Sequence, residues 1–267
     1  MDKNNSLSLR IGNLIAFIAV VIVNMLAVLL PINGIRPQDI SDAYANLFAP
    51  AGITFSIWSV IYVLLALFVL YQLGVFKGKT GYSPDAVARI GPFFILSSAA
   101  NVAWIFAWHY DVIPLSLVLM LVILITLIAA YLRIRKEPLS GKEKWFVLLP
   151  FSVYFGWITI ATIANVTVLL VSTGVDAFSA PAVIWTNIIL VIGSAIGALV
   201  VLKFKDIAYG VVLAWAYLGI LIKHVSIEPF AEKYPSVIMT LIILLIAGIV
   251  VIVTAGLLKR KSLRQKD

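Results

Sequence analysis

The residues of this chain that could do chemistry are amides, hydroxyls and indoles set inside long apolar runs. Asn24, Asn101, Asn165 and Asn187 each interrupt such a run, and of the seven tryptophans Trp58, Trp104 and Trp157 lie deep within theirs. A primary amide in an apolar medium seeks a partner across a helix interface, so each Asn reads either as a stitch between helices or as a ligand contact. An indole offers a broad flat face and one N–H donor, so several indoles around one cavity would suit a planar, mostly apolar ligand; packing between helices is the alternative. Spacing sharpens the choice. Trp58 and Tyr62 are i and i+4, Asn101 and Trp104 are i and i+3, and Trp157, Ala161 and Asn165 are i, i+4 and i+8. Each set shares one helix face. Three segments thus carry an aromatic-plus-polar stripe, and in a bundle the stripes are expected to converge.

Other chemistry is missing. The chain has no cysteine, which excludes disulfides, thiolate catalysis and Cys-based metal sites. His109 and His224 each end an apolar run, and neither has an acidic or histidine partner at metal-binding spacing. Each reads as an axial haem or metal ligand or, more simply, as an imidazole reaching out to the membrane interface. No P-loop, GxSxG, HExxH or glycine-rich dinucleotide pattern stands in a supporting context. No catalytic residue and no metal site are therefore assigned. The cores of the apolar runs hold no Asp, Glu, Lys or Arg, which argues against a buried carboxylate proton relay.

The elements that must position these residues follow from composition. Hydrophobic residues make up 63% of the 267, charged residues only 12%, and the mean hydropathy is +1.09. Soluble domains are about half apolar and about a quarter charged. Eight segments reach the ~20 apolar residues needed to cross a bilayer: 11-31, 52-73, 87-109, 113-133, 145-171, 181-203, 206-223 and 235-258. Continuous apolar runs, rather than alternating short strands, select helices. The fold expected is an all-α polytopic membrane bundle of about eight transmembrane helices. The run from Ile11 to Leu30 is longer than a signal-peptide core and is read as a retained first span. Ser83-Pro84-Asp85 marks the start of the third span, Ser140 with Glu143 makes a capping box before the fifth, and Pro114 and Pro181 stand at the starts of the fourth and sixth. The seventh is the shortest and follows a tight Lys203-Phe204-Lys205-Asp206 turn.

Charge sets the expected orientation. With the N-terminus inside, 17 of the 20 basic residues fall in inside segments, and only Arg36, Lys223 and Lys233 lie outside. This alternation is the positive-inside pattern and places both termini in the cytoplasm. It also explains the net charge of +8 without nucleic acid, because the basic residues flank apolar runs. The tail from Lys259 is expected to meet anionic lipid. Between the first two spans, Pro37 could start a helix with Ile40, Tyr44, Leu47 and Phe48 on one face, lying at the interface or over a pocket mouth; a loop packed on neighbouring spans is the alternative. Gly193 and Gly197 form a small-xxx-small pair suited to close helix packing.

At the three stripes the sequence resembles the TspO/MBR family, the tryptophan-rich sensory or translocator proteins. Pro50 followed by Phe55-Ser56-Ile57-Trp58-Ser59-Val60-Ile61-Tyr62 is similar to the family's Pro…V-W-T-x-L-Y segment. Asn101-Val102-Ala103-Trp104 is similar to its L-N-x-x-W-S. Tyr154-Phe155-Gly156-Trp157-Ile158-Thr159-Ile160-Ala161-Thr162-Ile163-Ala164-Asn165 is similar to its P-Y-L-x-W-x-x-F-A-T-x-L-N, the most specific of the three. Gly52 stands where the family has an aromatic. The resemblance covers residues 11-171 and implies two parts: 1-171, a five-helix bundle of the family's type, and 172-267, three further spans with a basic cytoplasmic tail. It implies a pocket for porphyrins and other planar hydrophobic ligands, lined by Trp58, Tyr62, Asn101, Trp104, Trp157, Ala161 and Asn165. It also implies a sensory role and a homodimer.

The leading expectation is an integral protein of the bacterial plasma membrane that binds tetrapyrrole-like or other planar ligands. No cofactor is required, with porphyrin or haem as a bound ligand. Its partners are lipid and a hydrophobic small molecule rather than nucleic acid. A transporter or permease for a neutral or amphipathic solute is the second reading. Tetrapyrrole breakdown, which the resemblance leaves open, is the third, since nothing in the chain is laid out as a catalyst.

Overall fold

The computed structural model describes residues 3–30, 32–76 and 84–264, with no side-chain description at 3–6, 84–88 and 262–264. Among the described residues every regular element is helical. In chain order these are α1 (Lys3–Leu29), a 3-10 turn (Ile32–Gly34), α2 (Pro37–Ala43), a 3-10 turn (Gly52–Ser56), α3 (Ile57–Gln72), α4 (Pro84–His109), α5 (Ile113–Ile134) and α6 (Gly141–Glu143). A π turn (Lys144–Leu148) leads into α7 (Leu149–Ser172), followed by α8 (Ala180–Phe204), α9 (Ile207–Val225) and α10 (Pro235–Arg264).

Eight helical stretches among the described residues are long and apolar enough to cross a membrane: Leu7–Leu29, Gly52–Gln72, Arg89–His109, Ile113–Ile134, Gly141–Ser172, Ala180–Phe204, Ile207–Val225 and Pro235–Lys261. The all-α architecture and the eight spans expected from composition are therefore present. The start signals act where they were read. Ser140 Oγ accepts from Glu143 N at 3.3 Å while Ser140 N donates to the Glu143 carboxylate at 2.8 Å, a complete capping box. Pro114 and Pro181 occupy first-turn positions of α5 and α8, where a missing N–H costs nothing. The short seventh span is a full helix of 19 residues, started by Asp206 accepting from Tyr209 N at 3.2 Å after Lys205 turns through φ 51°. Ser83 lies outside the described residues.

Of the two readings of the stretch after Pro37, the packed loop is the one found beyond the first turns. Helix α2 stops at Ala43, and Tyr44, Leu47 and Phe48 lie beyond it. Leu47, Phe48 and Ala49 are buried in protein rather than laid on an interface. Asn46 causes the change: its Oδ1 accepts from the main-chain N–H of Phe48 (3.0 Å) and Ala49 (2.9 Å), a local turn that competes with helix continuation.

The chain forms two compact units, one of residues 1–43 and 57–165 and one of residues 44–56 and 166–267. In the first, α4 packs along α5 and along α1. The α1–α4 approach depends on small residues: a Cβ on Gly12 would meet Ile95 at 2.9 Å, and one on Gly91 would meet the Asn13 amide at 3.3 Å. Asn13 Nδ2 also donates to Gln72 Oε1 at 2.7 Å, tying α1 to α3. Phe68, Phe94 and Phe151, from α3, α4 and α7, meet edge to face at centroid distances of 5.1–6.0 Å. In lipid, such packing and amide pairing replace the hydrophobic effect as the force between helices.

In the second unit α10 packs on α8 and α9. Gly193 and Gly197 of α8 are buried, and a Cβ on Gly197 would run into the Leu213 side chain of α9, so Gly197 serves close packing. Tyr217 Oη donates to Leu190 O at 2.7 Å, and Asn187 Nδ2 reaches Ser236 Oγ at 3.4 Å. Little of α10 is buried, the pattern of a helix that keeps one narrow face for its neighbours.

Candidate ligand-binding site

The site grows from α3 outward, within the first unit. Trp58 stands in the first turn of α3, and Tyr62, one turn on, stacks on it at 5.6 Å with ring planes 21° apart. From α7, Tyr154 and Trp157 (i and i+3) bring two more rings to the same indole. Tyr154 meets Trp58 at 6.0 Å and 63°, and Trp157 meets it at 6.2 Å and 82°. Both are edge-to-face contacts, the geometry that sets the positive rim of one ring against the negative face of another. Trp58 and Tyr62 are half-buried while Tyr154 and Trp157 are buried, so the α7 side of the cluster is its fixed wall.

Amides connect this cluster to two further helices. Asn101 of α4 donates through Nδ2 to Tyr154 Oη over a long 3.4 Å. Its Oδ1 accepts from Asn24 Nδ2 of α1 at 2.8 Å, and Asn24 also donates to Val20 O at 2.9 Å. The chain Asn24–Asn101–Tyr154–Trp58 thus joins α1, α4, α7 and α3. The Tyr154 hydroxyl, an acceptor in this chain, still carries a proton of its own to give.

Trp104, one turn beyond Asn101 on α4, stacks on Trp108 at 5.5 Å and 23°. Trp108 Nε1 donates to Pro37 O at 3.0 Å, whereas Trp104 Nε1 is buried with no hydrogen-bond partner among the described residues. Asn33 Nδ2 donates to His109 O at 3.0 Å and so satisfies one of the carbonyls left open at the end of α4.

Of the residues picked from the sequence, Tyr62 and Trp157 each meet Trp58 directly. Asn101 joins them through Tyr154, and Trp104 stands one helical turn from Asn101. Asn165 engages elsewhere: Ser116 Oγ of α5 lies 3.1 Å from its Oδ1 and also donates to Ile113 O at 2.8 Å. Ala161 is half-buried on α7 between Trp157 and Asn165. Tyr154 and Asn24 are the residues that spacing alone did not assign to the site. Tyr154 is three residues before Trp157 within the most specific motif, and that spacing was the available signal.

The histidines correct an expectation. Neither reaches out to an interface; both are buried, at 1% and 0% exposure. His109 Nδ1 donates to Ile105 O at 2.7 Å, and His224 Nε2 donates to Leu47 O at 2.9 Å. A carbonyl can only accept, so each bond fixes which ring nitrogen carries the proton. The indoles of Trp145 and Trp185, by contrast, stand exposed near helix ends, the placement that membrane interfaces favour.

No curated protein and no solved structure matches this chain. The description of one protein family, TSPO-like protein, matches residues 10–255, which takes in the three C-terminal spans as well as the motifs ending at Asn165. With that match over most of its length and eight apolar spans to carry it, the chain is an integral membrane protein and belongs to the TSPO-like protein family.

Proposed function

We propose that this protein binds planar, mostly apolar small molecules of tetrapyrrole type within the membrane, in a sensory or regulatory role, at the cluster of Trp58, Tyr62, Tyr154 and Trp157 with Asn101 and Trp104. The observation that carries this reading is the meeting of three aromatic rings, Tyr62 of α3 and Tyr154 and Trp157 of α7, on the one indole of Trp58. Flat faces and rims presented together suit a flat ligand, and each ring contact contributes about 0.5–1.5 kcal/mol beyond its buried area. The buried indole N–H of Trp104 supports it, because an unpaired buried donor costs about 1–3 kcal/mol and a carbonyl or carboxylate on the ligand would recover that cost. The positive-inside distribution supports an orientation with both termini in the cytoplasm of a bacterial plasma membrane.

Titration of the purified protein with protoporphyrin tests the reading. Saturable quenching of tryptophan emission is expected. Trp58→Phe and Trp157→Phe should each weaken binding by about 5- to 10-fold, the factor for ~1–1.4 kcal/mol of lost ring contact. Unquenched wild-type emission, or two variants that titrate like wild type, would remove the proposal.

A further inference from the structure

Helices α4 and α5 pack along each other within the first unit, and two contacts close their seam at the end where α4 begins and α5 finishes. Arg89 Nη1 of α4 pairs with Glu137 Oε1, just past α5, at 2.6 Å. One turn further along α4, the Arg133 guanidinium of α5 lies over the Phe93 ring, 4.8 Å from its centroid. Arg89 and Phe93 are i and i+4 on one face of α4, so the two contacts are about 6 Å apart along the helix. Arg89 opens the apolar stretch of α4, and Phe93 stands inside it. The second guanidinium is therefore held one turn nearer the membrane interior than the first. Arg133 is exposed and has no carboxylate partner among the described residues. Residues 133–144 hold five basic residues (Arg133, Arg135, Lys136, Lys142 and Lys144) against two acids, Glu137 and Glu143. Both acids are engaged, Glu137 by Arg89 and Glu143 by Ser140 N at 2.8 Å.

We propose that Arg133, held on Phe93, is the headgroup site for one anionic phospholipid at the α4–α5 seam. Stacking occupies a face of the guanidinium and leaves its edge N–H groups free, and that edge matches two oxygens of a phosphate. A cation at the margin of the hydrocarbon needs a counter-charge or water. An anionic lipid neutralises it, whereas a zwitterionic lipid brings a cation of its own. The Arg89–Glu137 pair keeps the nearby carboxylate from repelling the phosphate. Leu96, three residues after Phe93, and Leu132, next to Arg133, are both exposed and give an acyl chain apolar surface to lie on. Basic sites between transmembrane helices take anionic headgroups by these means. Free phosphate would meet the same guanidinium but gain nothing from the leucines. The site lies wholly within the first unit, and it depends neither on the aromatic cluster nor on which way the chain is oriented.

The test is native mass spectrometry of the full-length protein released from nanodiscs of mixed phosphatidylglycerol and phosphatidylcholine, with a second arm in which inorganic phosphate competes. The wild type should retain one phosphatidylglycerol with about tenfold preference over phosphatidylcholine. Arg133→Gln should abolish that preference, and Arg133→Lys, which keeps the charge without the planar fork, should restore only part of it. Phe93→Leu should weaken retention by about threefold, because the guanidinium is no longer held on a ring. Lys136→Gln removes a charge of the same region outside the seam and should change nothing. If Arg133→Gln does not fold, Arg133→Lys and Phe93→Leu decide. Equal losses in Arg133→Gln and Lys136→Gln would mean a diffuse attraction to basic residues and overturn the site. Equal retention of the two lipids by the wild type, or a preference that survives Arg133→Gln, overturns it as well. Displacement of the phosphatidylglycerol by inorganic phosphate would overturn a lipid as the occupant.

Discussion

The two units hold themselves together by a different mix of means. The first, residues 1–43 and 57–165, is stitched by buried side chains that find one another across helices: Asn24 to Asn101, Asn101 to Tyr154, Asn13 to Gln72 and Ser116 to Asn165. It also uses close glycines, Gly12 and Gly91, and a bond from Trp108 to Pro37 O. In the second, residues 44–56 and 166–267, these last two devices lead, as Gly197 meets Leu213, Tyr217 finds Leu190 O and Trp215 finds Thr54 O, with the long Asn187–Ser236 contact beside them. Side-chain pairs leave a polar residue that stands out within an apolar run. A bond to a carbonyl leaves no such mark on the accepting residue. The first kind of contact is therefore visible in a single sequence and the second mostly is not.

Substitutions can break or sharpen this contrast. The largest effect is expected at Gly197. Gly197→Val forces two methyls and a Cβ against Leu213 in the second unit and should cost about 3 kcal/mol, at the upper end for overpacking. Reversible unfolding in bicelles would measure it, and a value near zero would mean that α8 and α9 are not held by close contact. In the first unit, Asn101→Leu keeps the volume but takes the donor from Tyr154 Oη and one of the two acceptors from Asn24 Nδ2, which keeps Val20 O, at a cost of about 1–2 kcal/mol. A double-mutant cycle with Asn24→Leu should recover part of this loss. Strict additivity would show that the two amides do not stitch α1 to α4. Ser140→Ala removes the capping box ahead of α7 and should lower stability by ~1 kcal/mol in the same assay. The Arg89–Glu137 pair is the smallest case. Its arginine is 57% exposed, so Arg89→Gln should change stability by no more than about 0.5 kcal/mol and lose even that at high salt.

The aromatic stripes were legible because period and residue type agree. Trp58 with Tyr62, and Trp157 three residues after Tyr154, must share helix faces wherever those helices lie. That these two faces meet at one indole was beyond the sequence, since periodicity fixes direction around a helix but not which helix stands opposite. Asn165 shows the same limit: it shares the stripe of Trp157, yet it spends its carbonyl on Ser116. The histidines were misread for a related reason. Placement near a span end predicts exposure, but burial depends on what folds over that end. For His224 that cover includes Leu47, 177 residues away in sequence.

By itself, the sequence determined the eight segments long and apolar enough to span a bilayer and their helical character. These follow from bilayer thickness and from the need to satisfy every backbone group in lipid, and both act on local composition. Only the tertiary structure decided that residues 44–56 belong with the last three helices, that Asn24 pairs with Asn101, and that Gly219 lies against Thr54. Those outcomes depend on which surfaces come within hydrogen-bonding or van der Waals distance, and that is a property of pairs of segments rather than of either segment alone.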